Sequence, residues 1–89
     1  MGETSEDSDA PMPRFFIDLH DGSQPLHDEV GFELADLAAA RGKVARIMAA
    51  IAQEIAPDLE RQDYVASVRD AFGTIRYRAR LSYVAEAVE

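Results

Sequence analysis

The sequence predicts an α+β fold, a two-layer sandwich in which one long helix packs on an antiparallel sheet of three or four strands, in the order β-(β)-α-β-β. Apolar or aromatic side chains recur at every second position of residues 15–20 and of residues 64–69. Residues 75–83 show the same alternation more strictly, with arginines between the apolar residues. Residues 36–55 instead repeat apolar side chains every three or four positions. Alternation is typical of a half-buried strand, and the longer spacing is typical of a helix with one apolar stripe. Because one helix covers one face of a sheet, the other face is expected to lie open.

The chain begins with an acidic stretch that differs in composition from the rest. It has 89 residues, of which 47% are hydrophobic, no cysteine, and a net charge of −8. Residues 1–11 are rich in Ser, Asp, Glu and Pro. Such segments bury too little apolar surface to offset the entropy that is lost on ordering. We therefore predict a flexible acidic tail over residues 1–11, followed by a single α+β domain over residues 12–89.

The first predicted strand is followed by a turn and a short return strand. The strand of residues 15–20 ends at Asp21-Gly22, because glycine accepts the positive φ that a turn requires. Pro25 is expected to break strand pairing. Residues 30–34 are expected to form the second strand, with Gly31 at a bulge or at a sheet edge.

The predicted helix has a recognisable beginning and end. It begins after Asp36, whose carboxylate can accept hydrogen bonds from the free N–H groups of the first turn. Pro57 is expected to end it, because proline cannot continue the hydrogen-bond ladder. The apolar stripe covers roughly five turns and is expected to pack on the sheet. It consists of Leu37, Ala40, Val44, Ile47, Met48, Ile51 and Ile55.

The last two strands form a predicted hairpin. Residues 70–73 make the turn, with Gly73 at the position that requires positive φ. Because side chains on a strand alternate between faces, the apolar residues of the final strand are expected to face the helix and its three arginines to face the open side. The helix-facing residues are Ile75, Tyr77, Ala79, Leu81 and Tyr83, and the arginines are Arg76, Arg78 and Arg80.

The open sheet face is the candidate binding site. It can be a solvated face whose charges discourage aggregation, a contact surface for another protein chain, or a nucleic-acid surface. The third interpretation is opposed by the sequence pI of about 4.6 and by the expected helix-facing position of Tyr77 and Tyr83. The expected binding residues are Phe16, Asp18, His20, Val65, Arg69, Arg76, Arg78 and Arg80.

Catalytic and metal-binding patterns are weak in this sequence. It contains no Ser-His-Asp order, no glycine-rich phosphate loop and no HExxH zinc-protease motif. His20 with Asp18 is the one acid–base candidate, and it is not expected beside a pocket. The histidines and carboxylates of residues 18–29 match no metal-loop spacing. We therefore expect a non-enzymatic protein with no cofactor and no metal.

The sequence also bears on location. No apolar run approaches the roughly 18 residues of a membrane span. The acidic N-terminal stretch lacks the basic and apolar regions of a signal peptide. We expect a cytoplasmic protein without membrane contact.

Three short motifs resemble a family of small bacterial domains of unknown function. "MPRFFIDLHDG" at residues 12–22 resembles its Met-Pro-Arg-aromatic…Asp-x-His-Asp-Gly opening. "DEVGFELADLAAAR" at residues 28–41 and "VRDAFGTI" at residues 68–75 are similar to its later segments. The resemblance implies a compact α+β domain and a bacterial source, and it implies no activity. The acidic tail departs from the family pattern. The order of elements is also loosely similar to antitoxin domains of a partial RNase-H-like kind, which is an analogy of fold alone.

Two hypotheses for function follow from this surface. The first is a non-enzymatic protein-interaction module that associates with itself or with another protein through the open face or an edge strand. The alternative is a nucleic-acid-associated regulator or antitoxin-like domain that uses the arginine row of the last strand.

Overall fold

The computed structural model describes residues 13–88. The predicted tail of residues 1–11 lies outside the described residues. In chain order, the elements are β1 (Arg14–His20), β2 (Pro25–Leu26), β3 (Phe32–Glu33), α1 (Leu37–Gln53), β4 (Arg61–Arg69) and β5 (Ile75–Val84). One helix lies against a five-stranded antiparallel sheet, so the predicted α+β sandwich is confirmed.

The sheet has the strand order β2-β1-β4-β5, and β3 pairs with the other end of the β1 edge. Phe16 lies opposite Arg69 and His20 lies opposite Val65 where β1 meets β4. The additional strand is β2, whose residues the sequence analysis had not assigned to a strand. Pro25 was expected to break pairing, and this is wrong, because Pro25 lies opposite His20 in β2. Proline is tolerated there because β2 is an edge strand and its outer side needs no N–H donor.

The core lies between α1 and one face of the sheet. Alternate residues of each long strand point into it, as the period of two requires. The helix contributes a small residue, Ala40, that is fully buried in this core. The buried residues are Phe15, Ile17, Ala40, Val44, Met48, Ala66 and Val68, with Leu19, Phe32, Leu34, Leu37, Ile47, Ile51, Tyr64, Tyr77, Ala79 and Leu81 packed around them.

The helix begins as predicted and ends earlier. The Asp36 carboxylate accepts a hydrogen bond from the Ala39 N–H at 2.9 Å, which confirms the N-cap. The helix ends at Gln53, four residues before Pro57, and the Glu54 N–H donates to the Ile51 carbonyl in a tighter closing turn. The proline therefore lies outside the helix that it was expected to end.

Two cations on the helix lie over aromatic rings at the margins of the sheet. The Lys43 ammonium is 4.4 Å from the centre of the Phe32 ring. The Arg41 guanidinium carbon is 5.0 Å from the centre of the Tyr77 ring. Each contact adds a cation–π attraction between the helix and the sheet.

The two-sided pattern of β5 is confirmed over most of its length. Tyr77, Ala79 and Leu81 pack against the core, while Arg76, Arg78 and Arg80 are exposed. Ile75 departs from the prediction: it lies opposite Arg69 at a register shift, is 50% exposed, and is not among the residues packed on the core. The bulge inserts one residue into β5, which interrupts the alternation at that end of the strand. Tyr83 is half-buried and is likewise not among the residues packed on the core.

The turn between β4 and β5 is confirmed at residues 70–73. Gly73 has a φ of 87°. The Asp70 carboxylate accepts hydrogen bonds from the Phe72 and Thr74 N–H groups at 2.9 and 3.0 Å. Within residues 13–88, no helix is long and apolar enough to cross a membrane.

Candidate functional site

The open face brings the predicted site residues together in three rows that run across β1, β4 and β5. The register places Phe16 beside Arg69, Asp18 beside Ser67, and His20 beside Val65. Ser67 in turn lies beside Arg78, and Val65 beside Arg80. Sheet neighbours in register lie roughly 5 Å apart. Seven of the eight predicted residues therefore lie side by side on this face, whereas Arg76 falls in the bulge and has no partner in register.

Arg69 and Asp18 form the most enclosed ion pair of the face. The Arg69 Nε donates to Asp18 Oδ2 at 2.7 Å, and Nη2 donates to Asp18 Oδ1 at 3.3 Å. The two side chains are only 18% and 25% exposed. Such two-point pairing fixes both groups in direction as well as distance. The guanidinium carbon also lies 4.6 Å from the centre of the Phe16 ring, so the pair and the ring form one packed unit.

The protonation states of this pair follow from the same contacts. Burial raises the pKa of Asp18, but the hydrogen bonds from Arg69 and from the Asp28 N–H outweigh burial, and the net pKa lies below 3.8. The hydrogen bond to Asp18 raises the pKa of Arg69 above its ordinary value. Both groups are therefore held in their charged forms.

A loop of residues 27–31 closes the edge of β1 beside this pair. The Asp28 Oδ2 accepts a hydrogen bond from the Ile17 N–H at 3.1 Å, at the point of β1 that neither β2 nor β3 reaches. The Asp28 N–H donates to Asp18 Oδ1 at 2.8 Å, and the Asp28 carbonyl accepts from Arg69 Nη2 at 2.7 Å. Asp28 therefore completes the pairing of an edge strand with a side chain.

The conformation of this loop depends on Gly31. Asp28 Oδ1 accepts hydrogen bonds from the Val30 and Gly31 N–H groups at 3.1 and 2.9 Å. Gly31 has a φ of 80°, and a Cβ there would lie 2.9 Å from Arg14 Cγ and from Phe16 Cε2. Gly31 was expected at a bulge or an edge, and it instead lies buried in the loop just before β3. The sequence analysis assigned Asp28 no structural role, although the spacing Asp-x-x-Gly could have indicated this one.

The three arginines of β5 differ in their partners. Arg76 Nη1 lies 3.5 Å from Asp70 Oδ2 in an exposed ion pair. Arg78 Nε donates to the Ser67 hydroxyl at 3.2 Å. Within residues 13–88, neither Arg78 nor Arg80 has a carboxylate within ion-pair distance. Arg78 and Arg80 thus lie side by side on the open face without a direct ion pair in this part of the chain. Asp63 is nearby: the hydrogen bond from the Ser82 hydroxyl is the main cause of its lowered pKa, and the charge of Arg80 contributes.

Asp18 and His20 were expected to lie beside no pocket, and this is wrong, because both line a concavity of about 260 Å³. The histidines nevertheless do not form the acid–base pair that the sequence suggested. His20 Nδ1 accepts a hydrogen bond from the Gly22 N–H at 2.9 Å. His27 is instead the imidazole beside Asp18, with Nδ1 3.3 Å from Asp18 Oδ1 and Nε2 2.9 Å from Arg69 Nη2. Across residues 13–88, no three His, Asp or Glu side chains are grouped so that they could hold a metal ion.

A larger concavity, with a mostly apolar lining, lies on the helix side of the β1 edge, between the loop of residues 27–31 and α1. It has a volume of about 470 Å³. Leu26 and Val30, at its margin, are 65% and 77% exposed. Its lining is mostly apolar and includes Ile17, Leu19, Leu26, Val30, Phe32 and Ile47. Neither Leu26 nor Val30 was among the predicted site residues, because the alternation of β1, β4 and β5 carries no information about this loop.

The fold and its open face define a small α+β domain with one covered and one uncovered sheet face. The model of a family described as a domain of unknown function, DUF6894, matches residues 14–82. The chain belongs to this family. The match spans every helix and strand up to the last residues of β5, and it begins after the Met-Pro of the opening motif. No curated protein and no solved structure matches the chain.

Proposed function

We propose that this domain is a non-enzymatic protein-interaction module that binds an acidic surface of another protein through its open sheet face. The observation that carries the proposal is the pair Arg78 and Arg80, which are exposed, adjacent on one face of β5, and make no direct ion pair with a carboxylate within residues 13–88. The flanking Val65 and Ser67 are half-buried and give this surface a flat, mixed character. Interfaces combine arginine with apolar residues in this way.

The charged residues of β1 serve the fold rather than a reaction. Asp18 is held by Arg69 and by the Asp28 N–H, so both of its carboxylate oxygens accept hydrogen bonds from within the domain. His20 accepts from its own turn through Nδ1. A general acid or base needs a free lone pair or proton directed at a substrate. This arrangement supports the non-enzymatic proposal.

A second copy of the chain is a less suitable partner for this face than an acidic protein. Two copies that meet through the open face would bring the Arg78 and Arg80 guanidinium groups of each copy toward those of the other. Like charges at close range oppose association. Sedimentation velocity of the full chain tests this step: a monomer at tens of micromolar is the expected result, and a salt-strengthened dimer would favour self-association instead.

Nucleic acid is the alternative ligand, because exposed arginines also bind phosphate. The structure provides few aromatic faces for stacking on this side: Phe16 is covered by Arg69, and Tyr77 packs toward the core. The net charge of −8 also repels phosphate. Fluorescence anisotropy with a labelled single-stranded oligonucleotide at low salt distinguishes the two ligands, since a micromolar affinity there would favour nucleic acid.

A site-specific crosslinking experiment tests the proposal in cells of the source organism. A photo-crosslinking amino acid replaces Ser82, which is exposed beside Arg80, or Ala49, which is exposed on the helix. We expect a defined adduct from position 82 that disappears in the Arg78→Glu/Arg80→Glu variant and persists in Arg46→Glu. Adducts that form equally from position 49, or that survive the double reversal, would contradict the proposal.

A further inference from the structure

β5 is the long free edge of the sheet. It pairs with β4 from Ile75 to Val84, and within residues 13–88 it pairs with no other strand. On an edge strand, every second residue directs its N–H and C=O away from the neighbouring strand. A ten-residue strand therefore presents a row of backbone donors and acceptors to its surroundings.

The opposite edge of the sheet is protected against strand addition. β2 and β3 cover the two ends of β1 and have two residues each. Between them, the Asp28 carboxylate accepts the Ile17 N–H. Proline, short strands and side-chain pairing are devices by which proteins block an edge. The contrast leaves β5 as the accessible edge of the described sheet.

The side chains of β5 select which strand can pair with it. In an antiparallel pair of two copies centred on Ala79, Arg78 of each copy would lie opposite Arg80 of the other. Like charges directly opposite each other destabilise a strand pair. The helix-side residues Tyr77 and Leu81 are half-buried and offer apolar area to a neighbour. The matching strand therefore carries carboxylates on one face and apolar residues on the other.

We propose that the β5 edge binds an extended segment of an acidic partner protein by strand addition, with Glu or Asp side chains of the partner opposite Arg78 and Arg80. This inference rests on the proposed function and names its binding mode. Main-chain hydrogen bonds supply affinity in this mode, and the alternating side chains supply selectivity. The site ends at the bulge beside Arg69, which interrupts the regular edge at Ile75.

A designed peptide tests the binding mode without the natural partner. The probe is an acetylated and amidated octapeptide in which Glu alternates with Val, and it is titrated into the full ¹⁵N-labelled chain at low salt. We expect the amide shifts and the gain in hydrogen-exchange protection to concentrate in residues 77–84. A peptide with Lys in place of Glu is expected not to bind. The Arg78→Glu/Arg80→Glu variant is expected to weaken binding by about tenfold or more, because two cross-strand attractions become repulsions. Arg46→Glu on the exposed side of the helix makes a single charge change away from the edge and is expected to leave binding within about twofold.

Two N-methylated peptides separate strand addition from charge attraction alone. One carries N-methyl groups on its Val residues and the other on its Glu residues, so both keep the same charge. In a strand pair, only one of these two sets of N–H groups points toward β5. We expect one isomer to lose binding and the other to retain it.

The outcomes distinguish the binding mode from the wider proposal. Equal binding of both isomers, with shifts spread over Phe16, Val65 and Ser67, would overturn strand addition while leaving the open face as a binding surface. Binding of the Glu–Val peptide that is unchanged in the double-arginine variant would overturn both. Absence of any peptide binding, together with the absence of an adduct from position 82 when Arg78 and Arg80 are intact, would also overturn both.

Discussion

Arg69 binds the Asp18 carboxylate at 2.7 Å and covers the Phe16 ring at 4.6 Å, so one guanidinium joins β4 to β1 and to the loop beside it. Its Nη2 also donates to the Asp28 carbonyl. Arg78 lies on the same face, and its one hydrogen bond to a described residue is to the Ser67 hydroxyl. The open face therefore contains one arginine that stabilises the fold and two arginines, Arg78 and Arg80, that remain available to a partner.

Replacement of Arg69 by methionine should destabilise the domain. The change leaves Asp18 without its ionic partner in a site where the carboxylate is only 25% exposed. A lost hydrogen bond to a charged group in such a site costs about 1–3 kcal/mol. Urea unfolding measures the effect, with Arg46→Met on the exposed helix surface as the control. A change below about 0.5 kcal/mol for Arg69→Met would show that the pair contributes little.

The Asp28 loop should make stability depend on acid pH. Burial raises the pKa of Asp28, but hydrogen bonds from the Gly31, Ile17 and Val30 N–H groups outweigh burial. The net pKa therefore lies below 3.8. A carboxyl with a depressed pKa binds a proton more readily in the unfolded chain than in the folded one. Its stabilising contribution is therefore fully present above pH 3.8 and is lost as the pH falls through the lower folded pKa.

The Asp28→Asn variant isolates this contribution. Unfolding free energies of both proteins are measured from about pH 6 to about pH 2. The difference between wild type and Asp28→Asn is expected to be largest near neutral pH and to shrink below about pH 4. Asp58→Asn, at an exposed turn, serves as the control for the loss of one carboxylate. A constant difference for Asp28→Asn across the range would contradict the account.

Gly31 should tolerate alanine less well than Gly22 does. Both glycines have positive φ, at 80° and 94°. An added Cβ meets Arg14 and Phe16 at 2.9 Å in the first case and nothing within 4 Å in the second. Gly22→Ala should therefore cost only the backbone strain of about 1–2 kcal/mol, and Gly31→Ala should cost more, because the Phe16 ring must also shift. Equal losses in thermal or urea unfolding would show that close approach at Gly31 is unimportant.

Mixing two charge variants should create an association that neither partner shows alone. Wild type and Arg78→Glu/Arg80→Glu carry opposite charges along β5, so antiparallel pairing of their edges places Arg opposite Glu. Native mass spectrometry at low salt is expected to show a heterodimer in the mixture, and added salt should dissociate it because salt screens the attraction between opposite charges. Wild type mixed with Arg46→Glu should remain monomeric. A mixture of wild type and the double variant that stays monomeric would count against an accessible β5 edge.

The parts of the fold that the sequence predicted correctly are those set by local periodicity. The stripe from Leu37 to Ile51 and the cap at Asp36 are properties of a single helix, and the alternation of β5 is a property of a single strand. Because the faces of β1, β4 and β5 were assigned from alternation, most of the candidate surface followed without knowledge of the strand order.

The parts that sequence reasoning missed depend on tertiary position. The bond from the Ile17 N–H to Asp28 joins a strand to a loop eleven residues away, and no local pattern requires it. Pro25 signals a break in most strands, and its pairing is understandable only once β2 is known to be an edge. Arg69 binds a carboxylate, whereas Arg78 binds a hydroxyl group. This difference depends on which side chains lie within hydrogen-bond distance, and the alternation of a strand does not show it.

The unfolding free energy of the Arg78→Ala/Arg80→Ala variant tests the central claim most directly, with Arg69→Met measured beside it. If Arg78 and Arg80 are free for a partner, their joint removal should change the unfolding free energy by less than about 1 kcal/mol, as for exposed charges. Arg69→Met should cost clearly more under the same conditions. A loss for the double variant that equals or exceeds the loss for Arg69→Met would show that Arg78 and Arg80 hold the fold together, and it would contradict their assignment to a binding surface.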